Sequence, residues 1–204
     1  MRVLVACESS GTVREAFRAL GHDAWSADLL PADDGSPRHF TGDARGLLGD
    51  GWDLLVAHPP CTYLTNAGVR WLYNRDGSRN EARWSSMREG AGLFLAFWNA
   101  PVPRVCVENP VMHGHARSLV GAAFTQSVQP YQFGHREVKR TCLWLRGLPP
   151  LVPTGDLKAE TMALPYAERA KVHWMSPGAD RWKARSKTYT GIAEAMASQW
   201  GGIS

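Results

Sequence analysis

Cysteine is scarce in this sequence and never clustered. The four that occur, Cys7, Cys61, Cys106 and Cys142, form no CxxC pair. That spacing supports neither a disulfide framework nor a zinc ribbon, so free thiols in a reducing compartment are expected. Long apolar runs are also missing. The opening run from Val3 is too short for a signal peptide and closes on Glu8. No later segment reaches membrane-spanning length, and a soluble, intracellular protein is expected. Excess charge is modest: the formal net charge of +4 suits a polyanionic partner without requiring one. Metal-ligand spacing is absent too. His113-Gly114-His115 has no further ligands at the spacing of a closed site, so an exposed pair at a helix start is expected there, and no metal. No cysteine is followed closely by the arginine that a thiol phosphatase cradle needs.

What the sequence does have is an ordered series of strand-turn-helix patterns. With 204 residues, 44% of them hydrophobic, the chain is long enough for one well-buried core, and a single domain over 1–204 is expected. Val3 to Cys7 reads as a strand and Glu8-Ser9-Ser10-Gly11-Thr12 as a turn. Val13, Ala16, Phe17 and Leu20 then recur at helical spacing before Gly21. A second strand, Asp23 to Asp28, ends in an acid about twenty residues after the turn, where dinucleotide-type folds place the carboxylate that binds ribose hydroxyls. The turn lacks GxGxxG, so Glu8 and Asp28 can equally be read as loop and cap residues. Pro31 to Phe40 reads as loop, and Asp43 after it is a second acidic candidate.

Leu54 to Ala57 is a continuous apolar run, as in a strand covered on both faces of a parallel sheet. Pro59-Pro60 stops it, because proline has no N–H for a ladder and biases its predecessor toward extended backbone. Cys61 is thereby delivered at the carboxyl end of a strand, where open α/β sheets bind ligands. A polar stretch, 62–90, interleaves arginine with tryptophan and tyrosine, which fits either a solvated lid or phosphate contacts with base stacking. Leu93, Phe94, Phe97 and Trp98 mark a helix, and Pro103 to Val107 a strand that ends in Glu108-Asn109-Pro110. Cys61 and Glu108 would then meet at one edge of a sheet. A thiol that adds to an electron-poor ring carbon, beside a carboxyl that protonates a ring nitrogen, suits C6 and N3 of cytosine. Thymidylate synthases and cytidylate hydroxymethylases share the Pro-Cys nucleophile, but their other signatures are absent.

These residues in this order resemble the S-adenosylmethionine-dependent cytosine-5 DNA methyltransferases, in a short form of the kind phages encode. Pro59-Pro60-Cys61 and Glu108-Asn109 carry the resemblance most specifically. The turn 7–12 matches the family's cofactor loop loosely, lacking its usual phenylalanine and extra glycines. Asp28 matches the ribose acid and Asp43 the adenine-contacting acid. Tyr131 to Arg136, with Lys139-Arg140 and a strand over Thr141 to Leu145, resembles the Gln and Arg motif, with a different arginine spacing. Thr188 to Ala193 resembles the closing motif that packs against the cofactor.

The resemblance implies a doubly wound, mostly parallel α/β sheet of the class I methyltransferase type with a C-terminal antiparallel strand. It implies catalytic roles for Cys61, Glu108, Arg136 and Arg140. Cofactor contacts are implied at Glu8, Ser9, Ser10, Gly11, Thr12, Asp28, Asp43, Pro59, Thr190 and Gly191. The cofactor would be S-adenosylmethionine, the partner double-stranded DNA, and the setting the cytoplasm of a bacterial or phage-infected cell. Residues 146–187, rich in proline and with Lys171, His173, Trp174, Arg181, Trp182, Lys183 and Arg185 clustered late, read as a reduced target-recognition segment or as a wrap over the sheet. Free cytidine nucleotides as substrate, and a catalytically silent DNA-binding protein, stand as the alternative readings.

Overall fold

Hydrogen-bonded ladders between short, apolar, β-branched runs organise the molecule. The structure is a computed structural model and describes residues 1–176, 178 and 181–203. Pro177, Ala179 and Asp180 of the basic segment lie outside the described residues.

In chain order the first elements are β1 (Arg2–Ala6), α1 (Thr12–Ala19), β2 (Asp23–Asp28), β3 (His39–Thr41) and β4 (Leu54–Ala57). They are followed by α2 (Asn66–Val69), α3 (Glu81–Trp98), β5 (Arg104–Asn109), α4 (Gly114–Val120), β6 (Gln126–Val128) and β7 (Thr141–Arg146). The short helices α5 (Lys158–Ala163), α6 (Tyr166–Arg169), α7 (Lys171–Trp174) and α8 (Arg181–Ser186) precede the terminal α9 (Thr190–Trp200). The seven strands form one sheet in the order β3-β2-β1-β4-β5-β7-β6. β1 to β5 pair in parallel, and β7 runs antiparallel to both β5 and β6. This is the doubly wound, mostly parallel sheet with a late antiparallel strand that the sequence predicts.

Strand alternation sorts the two faces. Leu4, Ala6, Leu55, Ala57, Val105, Val107 and Trp144 face α3, whose Phe94 and Phe97 are fully buried. Val3, Val5, Leu54, Val56, Cys106 and Leu143 face the opposite way, with Phe17 of α1 and Met196 and Trp200 of α9. The buried indoles keep their N–H groups satisfied: Trp144 donates to Ala122 O at 2.9 Å and Trp200 to Pro149 O at 3.0 Å. Cutting any of these aromatic side chains back to alanine would cost about 3–5 kcal/mol.

Three elements differ from the expectation. β3 and β6 were not visible as strands, since each has only three residues, too few for an alternation to register. α3 starts twelve residues before Leu93. Asn80 caps it by accepting from Arg83 N at 3.2 Å, and its first turns are polar because they face solvent. The irregular stretch after Cys61 is correspondingly shorter than 62–90.

Candidate active site

The candidate chemistry gathers where β4 and β5 stop pairing with each other, β5 continuing against β7 through Asn109. Their last shared rung is Ala57↔Val107. The next residues, His58 and Glu108, therefore emerge side by side on the face shared with Val56 and Cys106. His58 keeps its backbone in place by donating N–H to Ala6 O at 2.9 Å, and its Nδ1 lies 3.3 Å from Glu108 Oε2. Pro59-Pro60 then carries the chain away from the sheet. Asn109, fully buried, donates from Nδ2 to Pro59 O at 3.4 Å and ties the two strand ends together. Cys61 follows in a tight turn, its carbonyl accepting from Leu64 N and Thr65 N at 3.1 and 3.2 Å. Cys61, His58, Pro59 and Glu108 all line one cleft of about 370 Å³ at the carboxyl ends of β1, β2, β4 and β5. The sheet order reverses between β1 and β4, so this is the topological switch point.

The amino-terminal turn forms the other end of the same cleft, which Glu8, Ser9, Ser10 and Asp28 line. Glu8 is buried, and its carboxylate accepts from Val13 N at 2.7 Å and Arg14 N at 3.2 Å. Its side chain thus satisfies the open N–H groups of α1 and faces the positive end of the helix dipole. Gly11 sits at φ 68°, and a β-carbon there would collide with the Arg14 guanidinium. Arg14, fully buried, pins Ser26 and Asp34 to α1, so Gly11 serves the fold here. Thr12 lines a separate groove between α1 and α9 rather than the cleft. Asp28 accepts from Leu30 N at 3.0 Å through Oδ1. Asp43 lies outside the cleft lining. It caps a 3-10 turn and is paired with Arg45, which holds its carboxyl below the usual range.

The four thiols separate by environment, and all four are unbridged. Cys7, in the left-handed region at φ 59°, is pushed up to about 12 by burial and by Asp28 and Asp43. Burial pushes Cys106 far above the ordinary thiol range, and raises Cys142 as well. Cys61 is also raised, by burial and by Glu108, against an opposing pull from Lys139 and Arg185. A reactive thiol would be expected to be lowered by a nearby cation. Here the two cations are in place but do not outweigh desolvation and the carboxylate.

Arg136 and Arg140 are not brought to the cleft. Arg136 is exposed and pairs with Glu160 at 2.6 Å. Arg140 continues the β7 alternation on the side of Cys142 and Trp144, with its guanidinium 6.0 Å from the Phe124 ring. Lys139, one residue earlier, falls on the opposite face and lines the cleft. Its Nζ donates to Arg185 O at 2.7 Å, holding down the segment of α8 that covers the cleft, and Lys183 of α8 bonds Asp33 at 2.7 Å. Thr190 and Gly191 also lie elsewhere. His135 Nε2 meets Thr190 Oγ1 at 3.3 Å and accepts from Gly191 N at 3.1 Å, docking the start of α9, while Thr188 reaches the cleft.

His58 and Lys139 were thus not singled out, and Asn109 was read only as part of the Glu108-Asn109 pair. The parity of β7 was the available signal for Lys139, and the position next to Pro59-Pro60 was the signal for His58. His113 is buried rather than exposed, because it caps α4: Nδ1 accepts from Ala116 N at 3.2 Å and Nε2 lies 3.1 Å from Tyr63 O. Among the described residues no group of three or more His, Cys, Asp or Glu could hold a metal, and no helix is long and apolar enough to cross a membrane.

Outside the cleft lining, the stretch after Cys61 pairs guanidinium groups with aromatic rings. Arg70 lies 4.4 Å from the Trp71 ring, Arg79 4.6 Å from Trp84 and Arg83 4.6 Å from Tyr63. Trp71, Trp174 and Trp182 are 53%, 63% and 57% exposed, in contrast to the buried Trp52, Trp144 and Trp200.

No protein-family model matches the sequence, and no curated protein matches it. Solved structures with a similar course of chain include an E. coli prophage protein described as a DNA modification methyltransferase, at 13% identity and TM-score 0.48 over 81% of this chain. The Entamoeba histolytica methyltransferase EhMeth aligns at 11% identity and TM-score 0.49 over 76% of this chain. The S. pombe Dnmt2 methyltransferase aligns at 15% identity and TM-score 0.42 over 74%. The chain spans 55%, 57% and 51% of those three chains respectively.

Proposed function

We propose that this protein methylates C5 of cytosine in double-stranded DNA through a covalent bond between Cys61 and C6. The observation that carries the reading is the placement of Cys61 and Glu108 in one cleft at adjacent strand ends, with Asp28 across it at the end of β2. The donor set fits a nucleoside cofactor. An acid at the end of β2 is placed for ribose hydroxyls, and carboxylates at one end of the cleft suit a cationic sulfonium. S-adenosylmethionine, when bound, supplies an electrophilic methyl group. Ser9, Ser10, Asp28 and Pro59 would hold it, with Thr188 and α8 closing over the cleft.

On substrate, Glu108 enters protonated; Cys61 gives its thiol proton to solvent water and its sulfur bonds to C6 while Glu108 passes its proton to N3. Electron density then reaches C5, the carbon that is methylated. A proton gained by Glu108 also removes one of the charges that hold the Cys61 thiol up. Solvent water then takes the C5 proton, the C–H electron pair re-forms the C5–C6 double bond as the C6–S bond breaks, Cys61 leaves as the thiolate, and the N3 proton returns to Glu108. Because C5 is inaccessible inside a duplex, the base must be flipped out, at a cost of a few kcal/mol. The guanidinium and indole pairs of 62–84 and the exposed Trp174 and Trp182 supply phosphate and stacking contacts that offset this cost. In this reading 1–204 is a single methyltransferase domain and 146–187 its reduced target-recognition segment.

Lys139, Lys183, Arg185 and Lys187 line the cleft itself. That observation favours a second reading, the same chemistry on a free cytidine nucleotide whose phosphates those cations would hold. Incubation with methyl-labelled S-adenosylmethionine and either duplex DNA or cytidine nucleotides separates the two. Label in DNA at cytosine C5 is expected. Label confined to nucleotides replaces the first reading with the second, and label in neither overturns both.

A further inference from the structure

Two histidines, His113 buried and His58 partly buried, are satisfied in opposite ways. His113 has both ring nitrogens engaged, one with the amide of Ala116 and one with the carbonyl of Tyr63. That pattern accounts fully for a structural histidine, which ties the start of α4 to the loop after Cys61. His58 has an equally enclosed ring, with a side chain 8% exposed, but only Nδ1 is engaged, with Glu108 Oε2 at 3.3 Å. Its Nε2 is buried and has no hydrogen-bond partner among the described residues.

A buried polar atom left without a partner costs about 1–3 kcal/mol. Such an atom in a native fold calls for a reason other than packing. An apolar residue after Ala57 would avoid the penalty, so what distinguishes histidine here is the contact it does make. A carboxylate oxygen can only accept. With Oε2 unprotonated, as in an ionised Glu108 or one protonated on Oε1, Nδ1 carries the proton of this contact and Nε2 of the neutral ring is the bare acceptor. The rungs Ala6↔Ala57 and Ala57↔Val107 hold both backbones one residue earlier.

We propose that His58 is a positioning residue for Glu108, donating Nδ1–H to Oε2 so that Oε1 is the oxygen turned toward the ring nitrogen of the substrate. This rests on the reading of Glu108 as the group that protonates N3. His58 fixes the rotation of the carboxyl about its last bond and occupies one of its two oxygens. The proton transferred to N3 and later returned then always moves on the same oxygen. Cys61 and Lys139 line the same cleft, yet His58 is the residue hydrogen-bonded to the Glu108 carboxyl among the described residues.

The test has one arm that does not depend on turnover. In ¹⁵N-labelled protein, long-range ¹H–¹⁵N spectra read the tautomer of each of the seven histidines, and the His58 signals are identified by their loss in His58→Asn. A protonated Nδ1 with a bare Nε2 is expected, and Glu108→Ala should abolish that preference. A bare Nδ1 in the wild-type protein overturns the inference. The second arm is kinetic. His58→Ala should lower kcat for methyl transfer by about 10²-fold, the scale of a misplaced reacting group, with KM for DNA little changed. His58→Asn puts an amide N–H near the position of Nδ1 and should restore most of the loss, whereas His58→Gln, which reaches toward Nε2, should not. Equal behaviour of Asn and Gln variants overturns the inference, as does a fall in melting temperature that accounts for the lost activity. If the tautomer is as expected but the wild-type protein methylates nothing, the contact stands and the role assigned to it falls together with the proposed function.

Discussion

The edge of β4 and β5 and the basic segment that leads into α8 face the same cleft but are built by different means. At the edge, His58 and Glu108 follow directly on paired backbone, and Asn109 crosses from one strand end to the other. In the segment, α6, α7 and α8 bury no side chain, and α8 is held by Lys183 on Asp33 and by Lys139 on the carbonyl of Arg185. Reacting groups need fixed geometry, and sheet edges supply it. Groups that grip a polyanion need charge and exposed rings, and short polar helices suffice. Regions with few buried contacts also open at low free energy, and on the proposed reading that opening would admit the cofactor and release its product.

If that division is real, substitutions at the edge should change chemistry and those in the segment should change binding. The largest effect is expected at the edge. Glu108→Gln removes the transferable proton and should slow single-turnover methyl transfer by about 10²–10⁴-fold, while DNA affinity measured by anisotropy stays as it was. A variant that retains full activity would make the carboxylate structural. In the segment, Trp182→Ala should weaken DNA binding by about 1–3 kcal/mol, the range for one lost stacking contact. Its single-turnover rate at saturating DNA should match the wild type, and a matching loss in that rate would erase the division. Affinity should also fall steeply with rising salt, and the slope should be smaller for Lys183→Ala.

A smaller effect is expected for the Lys183–Asp33 pair in stability. Both side chains are partly exposed, so breaking it should cost about 0–1 kcal/mol and leave the melting temperature nearly unchanged. The smallest effect concerns His113. Burial holds it below its usual pKa near 6.5, favouring the neutral ring in the fold. As pH falls below about 6.5 the unfolded chain takes up that proton first, so stability should decline through the window between this value and the lower folded one. His113→Asn keeps a cap for α4 and should flatten that part of the curve in urea titrations. An unchanged slope would assign the decline to other groups.

The sequence made the edge legible and the segment largely opaque, for physical reasons. Val3 to Ala6, Leu54 to Ala57 and the strand into Glu108 are apolar because both sheet faces are covered, and proline marks where the second ends. Pro59-Pro60-Cys61 and Glu108 therefore marked both strand ends and their meeting in one cleft. Arg136 and Arg140 were assigned from the resemblance alone, without carrying the alternation of the strand that starts at Thr141 back into the residues before it. Lys139, one residue away, holds the position at the cleft. Asp43 and Thr190 were assigned from order in the chain alone, and local partners, Arg45 and His135, engage them instead. His58 carried no periodic signal, because its significance lies in a contact fifty residues away.

The central claim is that Cys61 bonds covalently to C6 of a cytosine in DNA. A duplex carrying 5-fluorocytosine tests it most directly, since fluorine replaces the proton whose departure would release the enzyme. With S-adenosylmethionine present, a denaturation-resistant protein–DNA complex should form, and mass spectrometry of its peptides should locate the bond on Cys61, with no complex from Cys61→Ala. A complex through Cys7, Cys106 or Cys142, or methylation of ordinary cytosine without any trapped complex, would contradict the account.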